Sequence, residues 1–281
     1  MTIVVTGATG PFGRLAVESL LARGVAADRI VGVGRSVGRI QDLADRGVVV
    51  RQAGYEDPDA LRAAFEGADK LLFVSGSEIG KRVQQHTNVV VAAKDAGIGQ
   101  VAYTSIPHAD TSTMVLAREH LFTERALTDS GIPSVFLRNS SYLEVFDVRG
   151  AVERGLFGAA GGGRVSIATR PDLAEAAAAA ILADRHDQRA YELGGESVTL
   201  AELAAEVSRQ SGREVVYTDL PQDRFVEFLV AGGLPEAHAA VMADAHRGVA
   251  AGEADTGPKD LEELLGRPVT PLADAIRAAL A

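Results

Sequence analysis

Through the first half of the chain, short β-branched apolar runs alternate with longer segments of helical period, the pattern that builds a parallel sheet flanked by helices. Six runs predict strands at Ile3–Thr6, Ile30–Val33, Val48–Gln52, Lys70–Ser75, Val101–Ser105 and Ser134–Asn139. They are apolar along most of their length instead of alternating, so the sheet is expected to be covered on both faces. Helical segments run from about Pro11 to Arg23, Ser36 to Arg46, Pro58 to Phe65, Gly80 to Ala96 and Val115 to Ser130. Asp57 before Pro58 has the form of an N-cap followed by a proline in the first turn, and Gly97 and Gly131 suit left-handed helix stops. The right-handed crossover rule and the precedent of dinucleotide-binding folds give a sheet ordered 3-2-1-4-5-6.

The pattern changes after about Asn139. A Gly-rich loop at Gly161–Gly163, an Ala-rich helix from Pro171 to Ala183 and several short helices after Leu200 follow, with isolated strands near Ala190–Leu193 and Glu214–Thr218. The expected fold class is α/β: a Rossmann-like doubly wound parallel sheet with a smaller C-terminal α+β substrate lobe. Residues 1–140 form the NAD(P)-binding domain, and residues 141–281 form mostly the substrate or cap lobe, with some segments returning to the main sheet.

Composition narrows the chemistry. Of 281 residues 47% are hydrophobic, enough for a large core, and 28 Lys+Arg against 38 Asp+Glu leave a net charge of -10 with no basic face for nucleic acid. There is no Cys, which excludes disulfides, thiolate metal sites and a cysteine nucleophile. No His and carboxylate spacing suggests a metal site. A strand begins within two residues of Met1, and no apolar run reaches the ~18 residues of a membrane span, so a cytoplasmic protein without membrane attachment is expected, as a monomer or homodimer.

The first strand runs directly into Gly7-Ala8-Thr9-Gly10-Pro11-Phe12-Gly13. A dinucleotide pyrophosphate needs close backbone approach, unpaired N–H groups and the positive end of a helix dipole. Gly7 permits the turn out of the strand, Gly10 the approach of the pyrophosphate and Gly13 the packing of the helix. Thr6 to Gly13 are therefore cofactor-binding candidates. At the end of the second strand, Val33-Gly34-Arg35-Ser36 carries no carboxylate to hold ribose hydroxyls; Arg35 can grip a 2′-phosphate and Ser36 can donate to it, so NADPH is expected over NADH. Ser75, Gly76 and Ser77 after the fourth strand, and Thr104 and Ser105 closing the fifth, lie at the carboxyl edge where cofactor and substrate bind.

The Tyr-x-x-x-Lys pair that protonates the alkoxide in typical short-chain dehydrogenases is missing: Val115–Glu124 contains neither Tyr nor Lys. Ketone reduction creates an oxygen of pKa about 15 by comparison with water, whereas a hydroquinone anion lies near the phenol value of about 10 and takes its proton from water or a weak donor. The missing pair favours a quinone acceptor, and without a flavin signature hydride passes directly from nicotinamide. His120 shares a helical stripe with Leu116, Thr123 and Leu127 and should face inward, either as a core histidine or beside the nicotinamide ribose. His86 and His108 are weaker candidates. Asn139 and Tyr142, after the sixth strand, are placed toward the substrate, with His120 the third catalytic candidate.

Val5-Thr6-Gly7-Ala8-Thr9-Gly10, Ala102-Tyr103-Thr104-Ser105, His120-Leu121-Phe122-Thr123-Glu124, Ser130-Gly131-Ile132-Pro133 and Leu137-Arg138-Asn139 resemble the NmrA-like atypical short-chain dehydrogenases. The flavin-free bacterial quinone-reducing members are the most similar. The resemblance runs over almost the whole chain, including Ala168-Thr169-Arg170 with Asp172, Tyr191-Glu192-Leu193 and Leu264-Leu265-Gly266-Arg267-Pro268. It implies NADPH at Gly7–Gly13 and Arg35, quinone reduction and a C-terminal lobe closing the substrate pocket. In related plant reductases a catalytic Lys stands where this chain has His120, so that role does not carry over. Gly54 stands where relatives often place an acid near the adenine. The family also includes NADP(H)-binding redox sensors without turnover, which is the alternative function, and a cationic dye or an enone is the alternative acceptor.

Overall fold

A computed structural model describes residues 1–183 and 189–281. Its first six strands are β1 (Ile3–Val5), β2 (Ile30–Gly34), β3 (Val49–Gln52), β4 (Lys70–Phe73), β5 (Gln100–Ser105) and β6 (Ser134–Asn139). With the segment Ala190–Leu193 they form one seven-stranded sheet in the order Ala190–Leu193, β6, β5, β4, β1, β2, β3. The expected order 3-2-1-4-5-6 is there, with one strand added beyond β6. The pairs β1–β2, β1–β4, β2–β3 and β4–β5 are parallel, and Val4 stands opposite Val31 on one side and Leu71 on the other. Every residue of β1, β4, β5 and β6 is buried, as strands covered on both faces must be.

The helices of this half are α1 (Pro11–Ala22), α2 (Gln41–Asp45), α3 (Pro58–Phe65), α4 (Arg82–Asp95) and α5 (Val115–Ser130). Their ends follow local chemistry. The Asp57 carboxylate accepts from Ala60 N at 3.0 Å with Pro58 in the first turn, and Gly97 and Gly131 stop their helices at φ of 70° and 78°. The helix expected over Ser36–Arg46 is shorter than its pattern suggests. Val37–Ile40 is a 3₁₀ turn, begun by Arg39 N–H to Ser36 O at 3.0 Å, and only Gln41–Asp45 is α-helical. Gly38 accounts for this, since glycine costs a helix about 1 kcal/mol relative to alanine.

Two expectations for the second half are corrected. Ala190–Leu193 is not an isolated strand; it closes the β6 edge of the main sheet, with Phe136 N–H on Arg189 O at 3.0 Å and Ser140 N–H on Leu193 O at 2.8 Å. An open β6 edge would leave a row of buried backbone groups unpaired. The strand expected near Glu214–Thr218 lies at Tyr217–Asp219 and pairs in parallel with Leu156–Gly158.

The chain divides into two compact units whose segments interleave. One comprises Met1–Ser105, Glu119–Leu137 and Pro171–Tyr191; the other comprises Ile106–Arg118, Arg138–Arg170 and Glu192–Ala281. In the first, Leu61, Phe65, Leu71, Phe73, Val101 and Tyr103 are among the side chains packed between sheet and helices, each large one contributing about 1.5–3 kcal/mol on burial. The Ala-rich helix Arg170–Leu182 is held to the same unit at its end, where Lys70 Nζ donates to Ile181 O at 3.0 Å. The second unit carries a three-stranded sheet in the order Glu196–Thr199, Arg164–Ala168, Ser141–Tyr142. Val165, Ile167, Leu203, Val207 and Ile276 share its core. Its helix Leu200–Ser211 opens on a reciprocal capping box between Thr199 and Glu202. No helix among the described residues is long and apolar enough to cross a membrane.

Candidate cofactor and acceptor site

The loop after β1 has the geometry its glycines require. Gly7 sits at φ 62°, a left-handed conformation that disfavours any side chain, and Gly10 N–H closes the turn on Gly7 O at 2.9 Å. A Cβ on Gly13 would collide with the Gly7 carbonyl oxygen, so α1 rests directly on the loop backbone. At Gly10 the only near neighbour of such a Cβ would be Gly7 O at 3.3 Å, which leaves the outer side of the turn open. Gly10 caps α1 without a side chain, so no side-chain acceptor competes for the helix's first amides. An open backbone cradle at a helix N-terminus fits a pyrophosphate.

Ala8 N–H donates to Val33 O at 2.9 Å, and a Cβ on Gly34 would meet Thr9 Oγ1 at 2.5 Å, so the loop and the end of β2 are locked together. Arg35 and Ser36 follow immediately, both exposed. The Ser36 hydroxyl has no partner among the described residues, while Arg35 Nη1 meets Glu78 Oε1 at 2.7 Å. Glu78 also faces Lys81 Nζ at 3.2 Å, and this lysine holds the Glu78 carboxyl below its ordinary pKa. The position of Gly54 is also explained: the Glu56 carboxylate occupies the space a Gly54 side chain would fill, so an acid stands beside that position from two residues further on.

The candidates at the strand ends turn inward. Thr6 Oγ1 bonds the Tyr55 hydroxyl at 2.7 Å and accepts from Val74 N at 3.0 Å. Thr104 Oγ1 accepts from Ser75 N at 2.8 Å, and Ser105 Oγ donates to Glu124 Oε1 at 2.6 Å. These hydroxyls tie β1, β4 and β5 to their neighbours. Ser77 is exposed, and Gly76 is pinned through its backbone: its N–H donates to His86 Nε2 and its carbonyl accepts from Arg82 Nε, both at 2.9 Å. The Arg82 guanidinium is in turn ion-paired with Glu119, both well buried.

His120 faces inward as its stripe predicted and is 6% exposed, with Thr123 and Leu127 sealed beside it. Its Nδ1 lies 2.8 Å from the Tyr103 hydroxyl. Burial drives its pKa down to about 3, and that of His86 to about 2, so both rings are neutral throughout the physiological range. Burial pushes the Tyr103 hydroxyl upward, so it stays protonated. In the second unit Asn139 Nδ2 donates to the Tyr142 hydroxyl at 3.2 Å, and Asn139 Oδ1 is buried with no partner among the described residues. Arg138 is spent on Asp110 at 2.8 Å and Glu192 at 3.0 Å. Among the described residues no group of His, Asp and Glu is suited to a metal ion. Sequence reading overlooked Glu78, whose only signal is one acid in the loop after β4, and the partnership of Tyr103 with His120, which no motif marks.

The model of the NmrA-like family matches residues 1–267. The chain belongs to the NmrA-like family. Within this NmrA-like family the chain is 45% identical to quinone oxidoreductase 2 of Escherichia coli (strain K12) over 98% of this chain and 97% of that protein. The crystal structure of the NADPH-dependent quinone oxidoreductase of Escherichia coli complexed with NADPH superposes with a TM-score of 0.95, at 43% identity and over the full length of both chains. That of Citrobacter sp. triphenylmethane reductase complexed with NADP(H) does so at 0.93, with 38% identity and again over both full lengths.

Proposed function

We propose that this NmrA-like chain is an NADPH-dependent oxidoreductase that delivers hydride directly to a quinone or a similar conjugated acceptor, with no flavin and no metal. The observation that carries this reading is the 45% identity to the Escherichia coli quinone oxidoreductase over nearly the whole of both chains. Bound NADPH supplies the hydride. The residues of the chain do the rest by position and charge. The Gly7–Gly13 turn and the first amides of α1 take the pyrophosphate, and Arg35 with Ser36 takes the 2′-phosphate. Thr6, Thr104 and Ser105 hold the strand ends that carry Ser75–Ser77. His120 offers its free ring edge to the acceptor, and Asn139 with Tyr142 forms a polar pair for the substrate. The absence of Cys and the acidic balance support a cytoplasmic protein, monomeric or homodimeric, that acts on a small molecule and not on nucleic acid.

The deciding measurement is NADPH consumption with a benzoquinone, a cationic triphenylmethane dye and an enone, repeated with NADH. Steady turnover with the quinone and NADPH is expected; stoichiometric binding without consumption would instead make the chain a redox sensor. In the same panel His120→Ala is expected to lower quinone kcat about tenfold, the value of one neutral hydrogen bond, and the wild-type pH profile is expected to carry no His120 inflection near pH 6.5 because the buried ring does not titrate there. Full activity would reduce His120 to packing.

Glu78 competes with the 2′-phosphate for Arg35. Glu78→Gln is therefore expected to tighten NADPH binding by a few-fold, the worth of a half-exposed ion pair, and to leave NADH binding unchanged. Calorimetric titration with both nucleotides checks this, and weaker NADPH binding would give Glu78 a different role.

A further inference from the structure

The buried histidines and tyrosine of the first unit form a chain of hydrogen bonds whose polarity is determined at one end. The Gly76 amide can only donate, so His86 Nε2 accepts and the His86 proton is on Nδ1. A second contact requires the same form. Thr123 Oγ1 donates to the carbonyl of Glu119 at 3.0 Å, so it receives the bond from His86 Nδ1 at 2.8 Å. The Tyr103 hydroxyl, fully buried, lies 3.4 Å from that protonated His86 Nδ1 and 2.8 Å from His120 Nδ1. It cannot donate to a nitrogen that already carries a proton. Of the acceptors facing it, His120 Nδ1 at 2.8 Å is at full hydrogen-bonding distance, while the Thr123 hydroxyl, which also faces Tyr103, already takes the proton of His86 Nδ1, and a buried hydroxyl proton left without a good acceptor would cost about 1–3 kcal/mol. Tyr103 therefore donates to His120 Nδ1. Because His120 is neutral, its own proton is on Nε2, the nitrogen for which the described residues provide no partner.

We propose that Tyr103, oriented by His86, is a positioning residue that fixes His120 as the Nε2–H tautomer, so that the free edge of the ring is a hydrogen-bond donor selective for acceptors carrying a carbonyl oxygen. This rests on the assignment of His120 to the acceptor site. The donor stabilises negative charge that develops on a quinone oxygen as two electrons and one proton arrive together as hydride. It keeps its own proton. The chain behind it ends at a backbone amide that cannot release one, so the proton completing the hydroquinone comes from water. A cationic dye, which takes hydride at carbon and bears no developing oxyanion, gains nothing from the donor.

Histidine ring ¹⁵N NMR on the full-length protein tests the tautomer directly, with His120→Gln used to assign the signal. Kinetics with NADPH on a benzoquinone and on a cationic triphenylmethane dye test its consequence. The wild type is expected to show His120 with Nε2 protonated and Nδ1 bare. Tyr103→Phe is expected to mix the two tautomers and lower quinone kcat about tenfold, with the KM for NADPH and the rate on the dye held. A wild-type ring protonated on Nδ1, or equal losses on both acceptors, would overturn the proposal. The wild-type spectrum decides the tautomer even if the variant fails to fold. If that spectrum agrees while His120→Ala keeps full quinone turnover, the tautomer stands and it is the placement of His120 at the acceptor that fails.

Discussion

Gly13→Ala is expected to raise the Kd for NADPH about 100-fold and to lower the melting temperature by several degrees. The added methyl would meet the carbonyl oxygen of Gly7 first, then Gly7 C at 2.6 Å and Ala8 N at 2.8 Å. All three are backbone atoms, so no rotamer change relieves the contact, and α1 must slide off the turn or the turn must open. Overpacking of this kind costs about 1–3 kcal/mol. The loop that moves is the one proposed to hold the phosphates through its amides, and about 2.7 kcal/mol of lost binding corresponds to the expected 100-fold. Gly38→Ala is the matched control. Nothing lies within 4 Å of its Cβ and its φ is not left-handed, so the same added methyl should leave NADPH binding untouched and hold or slightly raise stability. Thermal melts and nucleotide fluorescence titrations of the two variants read both effects. Wild-type NADPH affinity in Gly13→Ala would mean that the pyrophosphate does not use this turn.

Arg35→Ala should cost about 10- to 100-fold in kcat/KM for NADPH and leave the value for NADH within about twofold. Arg35 is 62% exposed and among the described residues its side chain bonds only the Glu78 carboxylate, so removing it disturbs no core packing. What it takes away is the one cation at the end of β2, and hydrogen bonds to a charged group contribute about 1.5–3 kcal/mol. Because NADH has no 2′-phosphate, the ratio of the two nucleotides isolates the contact from any general effect on folding. Parallel losses for both would move phosphate recognition elsewhere.

The fold was legible wherever a local rule determines geometry. The runs at β1 through β6 stand out because strands buried on both faces tolerate almost no polar residue, and α3 is bounded correctly because Asp57, Pro58 and the end of the helix each obey short-range chemistry. The Gly7–Gly13 turn was equally plain, since a left-handed φ and a helix resting on the backbone are demands that only glycine meets. What escaped depends on partners far along the chain. Ala190–Leu193 has an ordinary strand pattern, and nothing in it names β6, about fifty residues earlier, as its neighbour. Glu78 reads as a loop acid until it is seen across from Arg35, 43 positions away. His86, Tyr103 and His120 come from α4, β5 and α5, and their hydrogen bonds to one another are a property of three packed elements, so the inward face of His120 could be foreseen but not the tyrosine behind it.

The late strand Ala190–Leu193 also governs how the protein is made. As the ribosome extends the chain, the sheet remains incomplete after β6 has emerged, and it stays so until the Ala-rich helix and the strand that follows have also left the exit tunnel. Throughout that interval the nascent sheet presents an apolar strand with an unpaired border, the kind of surface on which a neighbouring nascent chain or a chaperone would settle. Completion of the nucleotide-binding half is thus timed by residues that a reader of the N-terminal motif would place in another domain.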